Sequence, residues 1–124
     1  MQGSIRAHAI RLEPTVGRVR VWFASEIVAE TTRAITLYEG RLEPVQYLPL
    51  EDVRNAHLVR SEHRSHCPFK GDAGYYDLVV GARTARNAVW FYAQPLDAAA
   101  EIAGRVAFYR DRVDAIDIET PVSG

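Results

Sequence analysis

One stretch of ten residues gathers most of the reactive side chains in this sequence: His63-Arg64-Ser65-His66-Cys67-Pro68-Phe69-Lys70-Gly71-Asp72. It holds the only cysteine and two of the four histidines. It also holds Lys70, the only lysine among 15 cations, in a chain that writes its other cations as arginine. A lysine can lose its proton when buried and an arginine effectively cannot, so the exception marks a position.

Three kinds of chemistry compete for this segment. Cys67 is a candidate nucleophile, which needs a nearby cation or imidazolium to favour the thiolate. His66 and Lys70 are the local partners, with Lys70 as an acid or base. Cys67 precedes a proline and so prefers extended backbone, which turns His66 away from it; His63 is then the other local base. A bland alternative is an inert, packed thiol. A metal site from His63, His66 and Cys67 has acceptable ligand types, but H-x-x-H-C matches no spacing with known mechanics, and none is assigned. The third reading is a small-molecule pocket. Lys70 and Arg33 would hold an anionic or polar group, and Tyr47, Tyr75, Trp90 and Tyr92 would wall it. Strand aromatics more often simply form core. Arg33 and Glu39 flank one strand and are placed to pair. Glu51-Asp52 reads as acids at the start of a helical turn.

The elements that must position these groups are mostly strands. Arg18 to Phe23 alternates, with Val19, Val21 and Phe23 on one face, a period of two. Ala24-Ser25-Glu26 reads as a turn and Ile27 to Thr32 as the returning strand. Ala34 to Glu39, Val45 to Leu48, His57 to Arg60, Tyr75 to Val80, Ala88 to Tyr92, Val106 to Tyr109 and Val113 to Ile118 follow as short strands. Residues 61–74 have no period and read as an ordered loop, and Gly81 to Arg86 as a turn. Asp97 to Ala103 is the one helix, with Asp97 as N-cap and Gly104 just past its end. The predicted fold class is mainly β, antiparallel, with one short helix near the C-terminus.

Composition bounds the rest. With 124 residues the chain is one domain, residues 1–124, and 48% hydrophobic residues supply a packed core. A net charge of −1 argues against a nucleic-acid coat and against an electrostatic membrane binder. One cysteine excludes an internal disulfide. No apolar run reaches the roughly 18 residues of a membrane span, and the first residues lack the apolar stretch of a signal peptide, so a soluble cytoplasmic protein is expected. Arg6, Arg18 and Arg20 are scattered and form no stacking array for RNA. The expected partners are a small-molecule ligand or, if the chain is instead a structural or protein-interaction module, a second copy. The second copy would make a homodimer through an edge strand such as Arg18 to Phe23.

Several runs together resemble a known family: VRVWFASEIVAETTRAITLYE, VQYLPLEDV, SHCPFKGDAGYY, AVWFYAQP and IAGRVAFYRDRVDA. They are similar to the domain of unknown function 427 family from about Arg18 to Ala115. The His66-Cys67-Pro68-x-Lys70-Gly71 motif with Tyr75 is the most specific part. Phe69 stands where the family has tyrosine, and Tyr76 where it has tryptophan. The resemblance implies a β-tent-like architecture of antiparallel sheets. It places the family's motif positions on Arg33, Glu39, Tyr47, Asp52, His66, Cys67, Lys70, Tyr75, Trp90 and Tyr92. Some β-tent proteins hold zinc through four cysteines, which this sequence cannot do. The family also carries a nucleotidyltransferase label, but no glycine-rich phosphate loop precedes a helix here and no cofactor is called for.

Overall fold

The computed structural model describes residues 9–121; Arg6 and the last three residues of the chain lie outside them. The described chain runs β1 (Ile10–Pro14), β2 (Arg18–Phe23), β3 (Glu26–Thr31), β4 (Ile35–Glu39) and β5 (Val45–Pro49). Two single 3₁₀ turns follow, η1 (Leu50–Asp52) and η2 (Asn55–His57). Then come β6 (Leu58–Cys67), β7 (Gly71–Val80), β8 (Arg83–Tyr92), the 3₁₀ segment η3 (Asp97–Ile102), β9 (Arg105–Phe108) and β10 (Ala115–Glu119). The fold is mainly β, with two antiparallel sheets. The larger is ordered β1-β4-β5-β9-β8-β7-β6 and the smaller β10-β2-β3.

The small sheet is built on the alternation of β2. Val19, Val21 and Phe23 are buried, while the outer face pairs Arg20 with Glu30 at 2.5 Å and Trp22 Nε1 with Asp117 at 2.7 Å. The β2–β3 hairpin closes through Ala24 and Ser25, both at positive φ (52° and 65°), which gives the two-residue turn its right-handed twist. The Asp114 carboxylate accepts the Ala24 N–H at 2.8 Å and holds that turn. The inner face of β2 packs with Val28 on Leu48, Leu78, Val89, Val106 and Phe108 of the large sheet. Each such side chain contributes roughly 1.5–3 kcal/mol by leaving water.

The large sheet also buries its other face. Tyr47, Tyr75, Tyr92, Leu37, Ala73 and Ala107 form a second cluster there, closed by Ala99 and Ile102 of η3. Alternation decides membership: Tyr47 turns to this cluster and Leu48 to the first, Trp90 to this one and Val89 to the first.

Four expectations are corrected. Residues 61–74 are not a loop but the two arms of a long hairpin, β6 and β7, which turn at Cys67–Gly71. β6 is an edge strand wet on both faces, so it has no hydrophobic period to read. β8 begins at Arg83, leaving only Gly81 and Ala82 in its turn. Asp97 caps nothing: Leu96 is the N-cap of η3, with no side-chain hydrogen bond, and the segment is 3₁₀ rather than α. Finally, Arg18–Phe23 is the central strand of the small sheet and has no free edge to offer a second copy.

Candidate functional site

The hairpin turn sets the site. Cys67 pairs with Gly71 and His66 with Asp72, so neighbouring residues fall on opposite faces of β6. Gly71 sits at φ +113°, a conformation open to glycine, and this closes the turn that carries Lys70. The Lys70 carbonyl accepts the Leu96 N–H at 2.9 Å, which fixes the turn against the segment leading into η3.

Lys70 reaches across the inner face of the large sheet to β4. Its Nζ donates to Glu39 Oε1 at 2.5 Å, with side chains only 12% and 9% exposed. The sheet must therefore curl, since the hairpin of β6 and β7 lies at one edge and β4 next to the other. Inside the curl, Trp90 Nε1 donates to Tyr47 Oη at 3.0 Å, the rings meeting edge to face. Trp90 also lies against Tyr109, 4.4 Å between centroids. Ser65 Oγ and Tyr75 Oη share a hydrogen bond of 2.7 Å, and the His63 ring lies on Tyr75.

Burial dominates the electrostatics here. It pushes the Tyr47 phenol well above its ordinary value; the Trp90 hydrogen bond pulls back, and Glu39 and Cys67 add to the rise. Tyr92 is raised for the same first reason, with Tyr47 and Cys67 contributing. Tyr109 is pushed up to about 12 by burial and then by Tyr75. These phenols are neutral hydrogen-bonding groups at neutral pH.

The structure thus brings Lys70, Glu39, Tyr47, Cys67, Tyr75, Trp90 and Tyr92 to one face. It does not bring Arg33, Asp52 or His66 there. Arg33 does not pair with Glu39. It bonds Glu51 at 2.9 Å and Asp52 at 3.2 Å, and Asp52 in turn accepts from Thr31 at 2.6 Å. His66 stands on the outer face, with Nδ1 2.6 Å from Asp72 Oδ1. The imidazole next in sequence to Cys67 therefore does not serve its sulfur. No group of three or more metal-ligating side chains occurs among the described residues. No helix among them is long and apolar enough to cross a membrane.

The ammonium of Lys70 is already matched by Glu39, and among the described residues no buried side-chain nitrogen or oxygen lacks a partner. Open space lies on the far side of Trp90. β5 and β9 pair only at Leu48↔Val106 and Pro49↔Arg105. Beyond Leu48 the two strands part, and a cleft of about 280 Å³ opens between the sheets. Val21, Val45, Leu48, Phe108 and Ile116 line it with the rings of Trp90 and Tyr109, and Glu43 and Arg110 stand at its mouth. Of its lining only Trp90 is marked by the residue pattern, because the cleft arises from a gap in strand pairing and not from a motif. No curated protein matches the chain at a significant level. The family model described as Domain of unknown function (DUF427) matches residues 11–119, and the chain belongs to that family.

Proposed function

We propose that this domain binds a small, mainly apolar, ring-bearing molecule in the cleft between β5 and β9. The reading is carried by one observation: two half-buried aromatic rings, Trp90 and Tyr109, face a space otherwise walled by aliphatic side chains. Such a space lies just below the range of drug-sized ligand sites and suits a smaller molecule, and its composition is typical of them. Trp90 is fixed from behind by its hydrogen bond to Tyr47, so the indole face is presented in one orientation. Tyr47 packs with Cys67 in the buried cluster on the inner face, which joins the back of the cleft to the Lys70 turn. In this reading the Lys70–Glu39 pair is a support that sets the curl of the sheet, and Cys67 is part of the wall behind it. A polar substituent on the ligand faces Arg110 at the mouth.

The test uses the two tryptophans. Trp22 lies on the outer face of the small sheet, so a Trp22→Phe background leaves Trp90 as the only indole emitter. Titration with a panel of small ring-bearing metabolites, neutral and anionic, is expected to give a saturable change in Trp90 emission for at least one compound. Val45→Phe, which fills much of the cleft without adding an indole, abolishes that change. No saturable response across the panel, or an unchanged response in Val45→Phe, overturns the proposal.

A further inference from the structure

The outer face of the β6–β7–β8 hairpins carries a different chemistry. Arg60 and Arg64 on β6 stand opposite Tyr76 and Gly74 on β7, and Gly74 stands opposite Phe91 on β8. Gly74 has no side chain for a reason visible in the packing. A Cβ there would lie 2.5 Å from Phe91 Cζ and 3.1 Å from Arg60 Nη1. The Phe91 ring therefore lies across β7 and forms an apolar floor beside Tyr76, 5.2 Å between ring centroids with the planes inclined by 39°. The Arg60 guanidinium is poised over that floor, 4.7 Å from the Phe91 centroid. A cleft of about 240 Å³ opens here, lined by Arg60, Arg64, Gly74, Phe91 and Gln94, with Asp72 at its side.

The charges are unbalanced. Among the described residues neither Arg60 nor Arg64 forms an ion pair, whereas the one acid at the cleft, Asp72, is engaged by His66 at 2.6 Å. Two guanidiniums without a carboxylate partner beside the Phe91 ring match one kind of ligand: an oxyanion for the guanidiniums and a flat body for the ring. We infer that this face is a second binding site, for a small planar ring that carries a phosphate or carboxylate group. It is independent of the cleft between the sheets, which shares no lining residue with it.

The experiment follows backbone amide shifts in the full chain on titration with four probes: phenyl phosphate, benzoate, inorganic phosphate and benzyl alcohol. Phenyl phosphate or benzoate is expected to saturate and to move the Gly74 and Gln94 amides, and the tighter of the two identifies the anionic group. Arg60→Gln and Arg64→Gln, both at exposed positions and each checked for an unchanged amide spectrum away from the cleft, weaken that binding about tenfold. Inorganic phosphate, which lacks the ring, and benzyl alcohol, which lacks the charge, bind at least about tenfold more weakly. No saturable shift below about 10 mM from either ring anion overturns the site. So does unchanged binding in either glutamine variant, or inorganic phosphate binding as tightly as phenyl phosphate.

Discussion

Lys70→Ala is expected to lower the stability of the domain by about 3–5 kcal/mol, the cost of leaving one partner of a buried ion pair alone. The Glu39 residue is 7% exposed, and Lys70 is its only cationic hydrogen-bond partner among the described residues. Without the ammonium, the carboxylate must either stay charged in an aromatic surrounding or take up a proton, and both costs fall on the native state. Lys70→Met keeps an apolar stem of similar length and separates lost packing from lost charge; it is expected to lose most of the same stability. The double variant Lys70→Met/Glu39→Leu removes both charges and is expected to recover to within about 1 kcal/mol of the parent, since replacing a whole buried pair is often neutral. Urea unfolding at neutral pH measures all three. A loss under about 1 kcal/mol for Lys70→Ala, the size seen for exposed pairs, would mean that water already screens the contact.

The second large effect is a steep loss of stability in alkali. Tyr47 and Tyr92 have phenols raised above the ordinary value, mainly by burial. In the unfolded chain a tyrosine loses its proton near pH 10, roughly. Above that pH the unfolded state binds fewer protons than the native state, so stability falls as pH rises. Each fully shielded tyrosine contributes a slope of about 1.4 kcal/mol per pH unit, and the pair roughly 2.7. Tyr109, raised to about 12, adds a share from the same onset. Below about pH 9 all three phenols are neutral in both states and contribute no slope. Urea midpoints measured from neutral pH to about pH 11.5 should be flat with respect to these groups and then drop. Tyr47→Phe and Tyr92→Phe each remove one share of the drop, which separates the phenols from other groups titrating there. A profile unchanged by both substitutions would contradict the assignment.

Much of the fold was legible where one face of a strand is dry. Arg18–Phe23 alternates because Val19, Val21 and Phe23 enter the core, and its bounds read directly from that pattern. Gly104 ends η3 at φ +76°, as a glycine past a helix end should. The signal failed where the pattern carries no burial. β1 (Ile10–Pro14) is half-wet and lay hidden in a mixed segment. β6 runs through SEHRSH with almost every residue exposed, so neither its existence nor its hairpin with β7 shows in hydrophobicity. The divergence of His66 from Cys67 was legible, because extended backbone alternates. The partner of Lys70 was not: Glu39 lies 31 positions away, and only the curl of the sheet brings the two together. Arg33, which flanks the same strand as Glu39 and reads as a second cation for the pocket, instead meets Glu51 and Asp52 in the turn after β5.

The link from the β6–β7 turn to β4 also governs how the molecule comes apart. An outermost hairpin ordinarily peels first, because one side of it has no neighbour. Here the tip cannot lift without stripping an ammonium from a carboxylate on a strand near the opposite margin. Opening must therefore begin along the exposed middle of the hairpin, between Arg60 and Arg64, where the pairing register shifts. The tip is released only when the curled sheet itself lets go, which shields the Lys70 amide, hydrogen-bonded to the Cys67 carbonyl, from exchange with water.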